Sequence, residues 1–154
     1  MIVTLSDGCA GDLEAVMQVM TDAFGDRYGE AWTRSQCAGI LPMSGVRFVL
    51  ARDGDDQLVG FSLYRTIIDD AELLLLAVGP QAQRRGVGQS LIKHFVEDAK
   101  NRGASRIHLE VRDGNPAVRL YEAMGFVQSN RRRNYYRGRD GSKHDALTFM
   151  LSET

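Results

Sequence analysis

Residues 71–103 constrain the fold of this chain more than any other stretch. Leu73 to Val78 is an unbroken apolar run closed by Gly79-Pro80, and so short a run of this kind favours a buried strand. After the next turn, apolar residues recur at helical spacing until Asn101-Arg102-Gly103 supplies a stop. The members of this apolar face are Leu91, Ile92, Phe95, Val96 and Ala99. The sequence therefore predicts a strand, a tight turn and an amphipathic helix in direct succession.

The turn between them, Gln83-Arg84-Arg85-Gly86-Val87-Gly88, predicts a site for an anion. Its two glycines leave backbone N–H groups uncovered, and the positive end of the helix dipole lies at the same place. Arg84 and Arg85 add positive charge beside it. No lysine follows Gly88 as a Walker loop requires, and G-x-G-x-x-G is absent, so neither a nucleoside triphosphate nor a dinucleotide is favoured.

Length and composition favour a single domain over residues 1–154. A chain of 154 residues buries about two-thirds of the surface of its unfolded form, which is enough for a core without disulfides or metal. A net charge of −1 argues against a protein that lives on DNA or on acidic membranes. No apolar run approaches membrane-spanning length, and no basic segment precedes an apolar core at the N-terminus. We therefore expect a cytoplasmic protein, either a monomer or a weak dimer, with no direct nucleic-acid or membrane partner.

The cysteines and histidines do not predict a metal site. Cys9 and Cys37 form neither a C-x-x-C pair nor a ligand cluster with His94, His108 or His144. We expect two reduced thiols and no metal.

The first third of the chain predicts a strand, two helices and a hairpin. Ile2, Val3 and Leu5 suggest a short strand, and Asp12 can cap the first helix. The apolar face of that helix includes Leu13, Val16, Met17, Met20 and Phe24. Residues 25–29 break it, and a second helical segment, Glu30 to Leu41, carries Trp32. Strands follow at Val46 to Ala51 and Leu58 to Ile68, joined by a polar turn at residues 53–56.

The last third predicts a strand, a helix and a closing hairpin. Residues 107–111 alternate apolar and polar, so Glu110 points away from the core face, near the end of a strand parallel to Leu73 to Val78. Asn115-Pro116 starts a helix that ends before Gly125. Phe126 to Tyr136 and Ala146 to Leu151 form two strands.

The order of strand, Q-x-x-G-x-G turn and helix resembles the acyl-CoA site of the Gcn5-related N-acetyltransferase (GNAT) superfamily. Leu109-Glu110-Val111-Arg112, Asn115, Leu120-Tyr121-Glu122 and Gly125-Phe126 repeat its second motif. The predicted order β-α-α-β-β-β-α-β-α-β-β matches that superfamily over essentially the whole chain, which implies an α/β fold with a central mixed sheet flanked by helices. Within it, the Leu-Glu-Val-Arg motif, Arg132 to Tyr136 and Asp145-Ala146 look most like the bacterial ribosomal-protein alanine N-acetyltransferases.

The resemblance implies acetyl-CoA as co-substrate, with its pyrophosphate on the amides of the turn. The cofactor-binding residues that it implies are Leu76, Ala77, Val78, Gln83, Arg84, Arg85, Gly86, Val87, Gly88, Gln89 and Asn115. It also implies Glu110 as the general base, Tyr121 as the general acid and an amide near Val78 as oxyanion donor. Between Asn115 and Tyr121 the chain is one residue shorter than the family. A deletion of one residue turns the following part of a helix by about 100°, unless the Asn115-Pro116 segment that leads into the helix absorbs it.

The chemistry of the acceptor is compatible with these roles. A protein N-terminal amine has a pKa of about 7.7–8.0, against about 10.4 for lysine, so a carboxylate needs to do little to deprotonate it. We expect Trp32 on one wall of a peptide groove and the strand of Tyr135 and Tyr136 on the other. Because adjacent strand residues point to opposite faces, one of these two tyrosines packs on the core and the other offers its ring and hydroxyl to the peptide. The basic cluster from Arg131 to Lys143 is either a solvated face or a surface for an acidic segment of the partner.

Three functions remain open at this point. The first is acetylation of a protein N-terminal alanine, in the family pattern that of a ribosomal protein. The second is the same chemistry on a small amine such as a polyamine, an amino acid or an aminoglycoside, for which carboxylates around the pocket would be expected. The third is a non-catalytic acyl-CoA-binding module, against which the presence of both Glu110 and Tyr121 argues.

Overall fold

The computed structural model describes residues 1–25 and 28–152, and within these residues seven strands form one mixed sheet in the order β1-β2-β3-β4-β5-β7-β6. The strands are β1 (Thr4–Asp7), β2 (Val46–Arg52), β3 (Leu58–Ile67), β4 (Asp70–Val78), β5 (Arg106–Arg112), β6 (Phe126–Arg137) and β7 (Lys143–Leu151). All neighbouring strands are antiparallel except β4 and β5. The predicted α/β fold with a mixed sheet is confirmed.

Helices cover both faces of the sheet. They are α1 (Leu13–Phe24), α2 (Arg34–Ile40), α3 (Val87–Asn101) and α4 (Ala117–Ala123), and 3₁₀ turns lie at Ala10–Asp12 and Pro80–Ala82. One apolar cluster lies beneath α3 and α4, and the other lies beneath α1 and α2. The strand β4, the turn and α3 follow one another as predicted, and the buried residues of α3 include Leu91, Ile92, Phe95 and Ala99.

Both helices near the N-terminus differ from the prediction at their starts. The Asp12 carboxylate accepts a hydrogen bond from the Cys9 amide at 2.9 Å, so it closes the 3₁₀ turn and makes no side-chain cap on α1. The prediction that Trp32 lies on the second helix is wrong. The Thr33 hydroxyl accepts from the Gln36 amide and the Gln36 side chain accepts from the Thr33 amide, and this capping box starts α2 only after Trp32. Of the predicted break at residues 25–29, residues 26 and 27 lie outside the described residues.

Strand β4 is only alternately buried, although its apolar run predicted burial throughout. It begins at Asp70, and its fully buried residues are Ala71, Leu73, Leu75 and Ala77. The intervening Leu74 and Leu76 are half-buried because they line a cavity. The closing hairpin is confirmed, with a turn at 138–142 that is shorter than predicted.

Candidate active site

Strands β4 and β5 separate in the middle of the sheet, and the candidate site lies where they part. Their parallel pairing covers only Asp70–Leu73 and Arg106–Leu109. On the other side of β4, Leu63 faces Leu75 and Tyr64 faces Leu73, so Leu74 is the extra residue of a β-bulge. The bulge reverses the side-chain alternation, so that Leu73 packs under α3 whereas Leu75 packs under α1. The predicted parallel pairing therefore exists, but it ends before Glu110.

Two concavities meet at this opening. The inner cavity, of about 70 Å³, lies between Leu74 and Leu76 of β4, Glu110 of β5 and Tyr121 of α4. The outer groove, of about 540 Å³, runs from residues 29–32 to residues 135–137. Residues that line both are Glu30, Leu73, Leu74, Glu110 and Tyr136. A group in the outer groove and a group in the inner cavity can therefore approach Glu110 from two sides.

The turn at residues 83–89, called here the glycine turn, has the backbone shape that an anion site requires. Gly86 has φ +85° and caps α3, and a Cβ added to it would meet nothing within 4 Å. The first amides of a helix lack intrahelical acceptors, so those of Val87, Gly88 and Gln89 are free to face a ligand. The Gln83 side chain donates to the Val78 carbonyl at 2.9 Å and so fixes the turn to the end of β4.

The other residues of the turn differ in what they can offer. Arg84 has φ +62°, and both Arg84 and Arg85 are exposed. At Gly88 close packing favours glycine, because a Cβ at this position would lie 2.9 Å from the Leu120 side chain of α4. Ala77 buries its side chain under α1, so only its backbone could reach a ligand.

Glu110 lies on β5 and lines both concavities. Its Oε2 lies 2.9 Å from the Arg132 Nε and 3.4 Å from the Thr148 hydroxyl, which donates to it. The side chain of Glu110 is 19% exposed, whereas that of Arg132 is 55% exposed. The carboxylate is therefore shielded on the sheet side and reachable from the groove.

Tyr121 belongs to α4 and points into the core, with 5% of its surface exposed. Its ring packs edge-on to Phe126 at 6.1 Å between centroids. Burial raises the pKa of its phenol well above the ordinary value, and the charges of Tyr136 and Glu30 raise it further. The phenol is therefore neutral over the whole physiological range and can act as a hydrogen-bond donor.

Asn115 uses both ends of its amide within the protein. Its Oδ1 accepts from the Ala117 amide at 2.8 Å, and its Nδ2 donates to Glu30. Helix α4 begins at Ala117 with Pro116 as its N-cap, so the predicted cap at Asn115 lies one residue too early. In spite of the shorter spacing, Tyr121 and Glu110 line the same cavity.

Tyr135 and Tyr136 do not point to opposite faces, so that prediction is wrong. Asn134 has φ +56°, and the pairing shifts so that residues 132–136 of β6 span only residues 144–146 of β7. The two rings lie edge to face at 5.1 Å, and both line the outer groove. Trp32 also lines the outer groove, from the segment before α2.

Part of the basic cluster is paired within the protein. Arg131 contacts Asp113 at 2.9 Å and Asp145 at 2.6 Å, and Arg132 contacts Glu110. Arg137 lines the outer groove.

Sequence reasoning missed Glu30 and Arg112, whose side chains are 10% and 8% exposed and which pair at 2.7 Å. No local signal could have found Glu30, because its partners Arg112 and Asn115 lie 82 and 85 residues away along the chain. Across the described residues, no group of His, Cys, Asp and Glu is placed to hold a metal ion, and none of their helices is long and apolar enough to cross a membrane.

The mixed sheet opens between β4 and β5, and the glycine turn precedes α3. Comparison with known proteins identifies the class of protein that these features define. The chain belongs to the acetyltransferase (GNAT) family, whose model matches residues 13–126. The predicted family is thereby confirmed.

Its relatives include N-acetyltransferases of bacteria. The [ribosomal protein bS18]-alanine N-acetyltransferase of Salmonella typhimurium strain LT2 is 36% identical over 131 residues, covering 79% of this chain and 88% of that protein. The protein of the same name from Escherichia coli strain K12 is 36% identical over 121 residues, covering 78% and 80%. The crystal structure of the ribosomal-protein-S18-alanine N-acetyltransferase from Escherichia coli superimposes with a TM-score of 0.87 at 29% identity, covering 97% of this chain and 93% of that one.

Proposed function

We propose that this protein transfers the acetyl group of acetyl-CoA to the N-terminal amine of an alanine, that of a ribosomal protein in the cytoplasm. The observation that carries the proposal is the position of Glu110 in the wall between the inner cavity and the outer groove. A transferase needs two substrates to meet at one base, and this carboxylate can be reached from both sides. The relatives named for bS18-alanine acetylation, at 36% identity, support the choice of acceptor.

The glycine turn fits the anionic end of coenzyme A. Gly86 is open, and its positive φ is a conformation that side chains with a Cβ rarely adopt. The amides of Val87, Gly88 and Gln89 would hold the pyrophosphate at the positive end of α3, and Arg84 and Arg85 would add charge. When bound, acetyl-CoA supplies an acetyl group activated as a thioester. Leu76, Ala77 and Val78 would contribute backbone groups beside it, the Val78 amide as oxyanion donor.

The acceptor amine would enter from the outer groove between Trp32 and the two tyrosines. Glu110 accepts the proton of the ammonium, directly or through one water, and leaves a neutral nucleophile. The amine then attacks the carbonyl carbon of the thioester, and the attacking nitrogen loses its second proton to water as the C–S bond breaks. Tyr121 donates a hydrogen bond, and finally its proton, to the departing sulfur, and it regains a proton from water. The raised pKa of Tyr121 keeps that proton in place until negative charge develops beside it.

Asn115 would act indirectly in this scheme. Its side chain binds the Ala117 amide at the start of α4 and Glu30, so it orients the helix that carries Tyr121. We expect the active form to be a monomer or a weak dimer, because both concavities are built from one chain.

A small cationic amine is the second candidate acceptor, because Glu30, Glu72 and Glu110 all line the outer groove. Two of these carboxylates are already paired, Glu30 with Arg112 and Glu110 with Arg132. Glu72 alone is left to attract a cation, and the groove also contains Arg137. An open groove with aromatic walls fits a peptide better than a compact polyamine.

A panel of short peptides that differ only in the first residue tests the proposal. Thiol release from acetyl-CoA is measured for each peptide, and for spermidine and an aminoglycoside in the same assay. We expect the alanine peptide to have the highest kcat/KM. If the small amines turn over faster and the peptides are inert, the second candidate replaces the first.

A further inference from the structure

The feature that the proposed reaction does not use is a buried ion pair beside the inner cavity. The Arg112 Nε donates to Glu30 Oε1 at 2.7 Å, and the Asn115 Nδ2 donates to Glu30 Oε2 at 2.5 Å. Both oxygens of Glu30 are thus engaged, and the side chains of Glu30 and Arg112 are 10% and 8% exposed. We call these three residues the Glu30 clamp.

Arg112 is fixed from several directions. Besides Glu30, it donates to the Asp113 carbonyl at 3.0 Å, and its guanidinium carbon lies 3.6 Å from the centre of the Tyr28 ring. Tyr28 and Glu30 flank Gly29, so one short segment holds Arg112 through both a carboxylate and an aromatic face. A buried ion pair gains little stability over an apolar pair of similar volume, because desolvation offsets the attraction. A role in positioning therefore explains the pair better than a role in stability.

The clamp connects the elements that carry the two halves of the site. Residues 28–32 have no regular secondary structure and lead to Trp32, one wall of the outer groove. Arg112 ends β5, two residues after Glu110. The Asn115 side chain accepts from the first amide of α4, which carries Tyr121. The same segment packs closely against β6 at Gly29, because a Cβ at this position would overlap the carbonyl oxygen of Arg137.

We propose that the Glu30 clamp is a positioning device that fixes the Trp32 wall of the acceptor groove relative to Glu110 and Tyr121. The inference rests on the proposed function for its kinetic consequence. Loss of the clamp should weaken acceptor binding and misplace the acid, while the glycine turn, none of whose residues lines either concavity, keeps its affinity for acetyl-CoA.

The decisive variant is the double substitution Glu30→Leu/Arg112→Met. It removes both charges together and keeps apolar volume, so the protein should fold with a melting temperature close to that of the wild type. We expect the KM for the alanine peptide to rise about tenfold and kcat to fall about threefold, because small misplacements of reacting groups are costly. The affinity for acetyl-CoA, measured by calorimetry, should stay within about twofold. Glu14→Gln, which breaks the exposed pair of Glu14 with Arg34, is the matched control and should leave all these values unchanged.

Trp32 gives a second measurement that needs no substrate. It is the only tryptophan of the chain, so with excitation at the red edge of its absorption, where tyrosine absorbs little, the intrinsic emission reports the wall itself. In the folded double variant we expect acrylamide to quench this emission about twice as efficiently as in the wild type, because the segment is no longer held against β5. Glu14→Gln should quench as the wild type does.

The outcomes separate the clamp from the proposed function. A folded double variant with wild-type peptide KM and wild-type quenching overturns the clamp. A wild-type protein that binds acetyl-CoA but does not acetylate the alanine peptide overturns the proposed acceptor, and the quenching of Trp32 then decides on the clamp alone. Raised quenching together with raised peptide KM supports both.

Discussion

The glycine turn and the outer groove are built in different ways, and no residue of the turn lines the groove. The turn is one contiguous stretch, residues 83–89, and what it offers a ligand is mostly backbone. The groove combines residues 29–36, residues 72–74, Glu110 and residues 135–137, and what it offers is side chains. A contiguous backbone site depends on one glycine conformation, whereas the groove depends on contacts between segments far apart in the chain. We therefore expect variants of the turn to change cofactor affinity alone and variants of the groove to change acceptor turnover.

The strongest test of this separation is Gly86→Val. It would place a β-branched side chain at φ +85° in the space where the pyrophosphate approaches in the proposed complex. We expect the affinity for acetyl-CoA in calorimetry to fall by about 100-fold or more, since the amides at the helix N-terminus are the main anion ligands of the proposed site.

Gly103→Val is the matched control for that variant. Gly103 follows the other end of α3, has φ +86°, and a Cβ at this position would also meet nothing within 4 Å. The control therefore imposes the same backbone strain away from the site, and its affinity for acetyl-CoA should match that of the wild type. Unchanged affinity in Gly86→Val would remove the turn from the cofactor site.

On the acceptor side the largest effect should come from Glu110→Gln. At neutral pH most of an N-terminal amine, with a pKa of about 7.7–8.0, is protonated, so a base is needed to release the nucleophile. We expect kcat/KM for the peptide to fall by about 100-fold at neutral pH, a typical contribution of general base catalysis. As pH rises above the pKa of the amine, the acceptor deprotonates unaided and the deficit should shrink.

Glu72→Gln serves as its control. Glu72 lines the same groove from β4, and it forms no ion pair with any other described residue. Its loss should leave the shape of the pH profile unchanged. A pH-independent deficit in Glu110→Gln would mean that the carboxylate only positions the acceptor.

Tyr121→Phe should have an intermediate effect, because it removes one hydroxyl and leaves the ring that packs on Phe126. We expect kcat to fall by about 30-fold with acetyl-CoA affinity unchanged, a loss below the roughly 100-fold lower end of the usual range for a general acid. Burial raises the pKa of this phenol above its ordinary value of about 10, so the wild-type rate should show no deprotonation of Tyr121 between neutral pH and about pH 10. A wild-type kcat in Tyr121→Phe would assign protonation of the thiolate to water.

The difference between the two regions also explains what the sequence could predict. The strand, the glycine turn and α3 were predicted correctly, because apolar periodicity, glycine and helix termini are local signals. The family motif around Glu110 and Tyr121 predicted that both would reach one site, and both line the inner cavity. Their catalytic roles stay predictions.

The failures lie on the acceptor side, where position depends on distant parts of the chain. The helical prediction for Trp32 fails because Thr33 caps α2 one residue later, although the Thr33 to Gln36 spacing is itself a capping signal. Tyr135 and Tyr136 share a face because Asn134 adopts a positive φ and donates its amide to Asp145, which strand alternation alone does not reveal. No local sequence pattern predicted the contacts of Glu30, since its partners Arg112 and Asn115 lie 82 and 85 residues away along the chain.

The smallest expected effect concerns Arg132, which lies 2.9 Å from the proposed base. The side chain of Arg132 is 55% exposed, so water and salt screen its attraction to Glu110. We expect Arg132→Gln to lower kcat/KM for the peptide by no more than about threefold, and the difference from the wild type should shrink further as salt is added. The adjacent Arg133 is exposed and makes no contact with Glu110 among the described residues, so Arg133→Gln is the matched control with no expected effect. If Arg132→Gln were as damaging as Glu110→Gln, the two side chains would have to act as one unit, and the base of the acceptor side would be an ion pair rather than a single carboxylate.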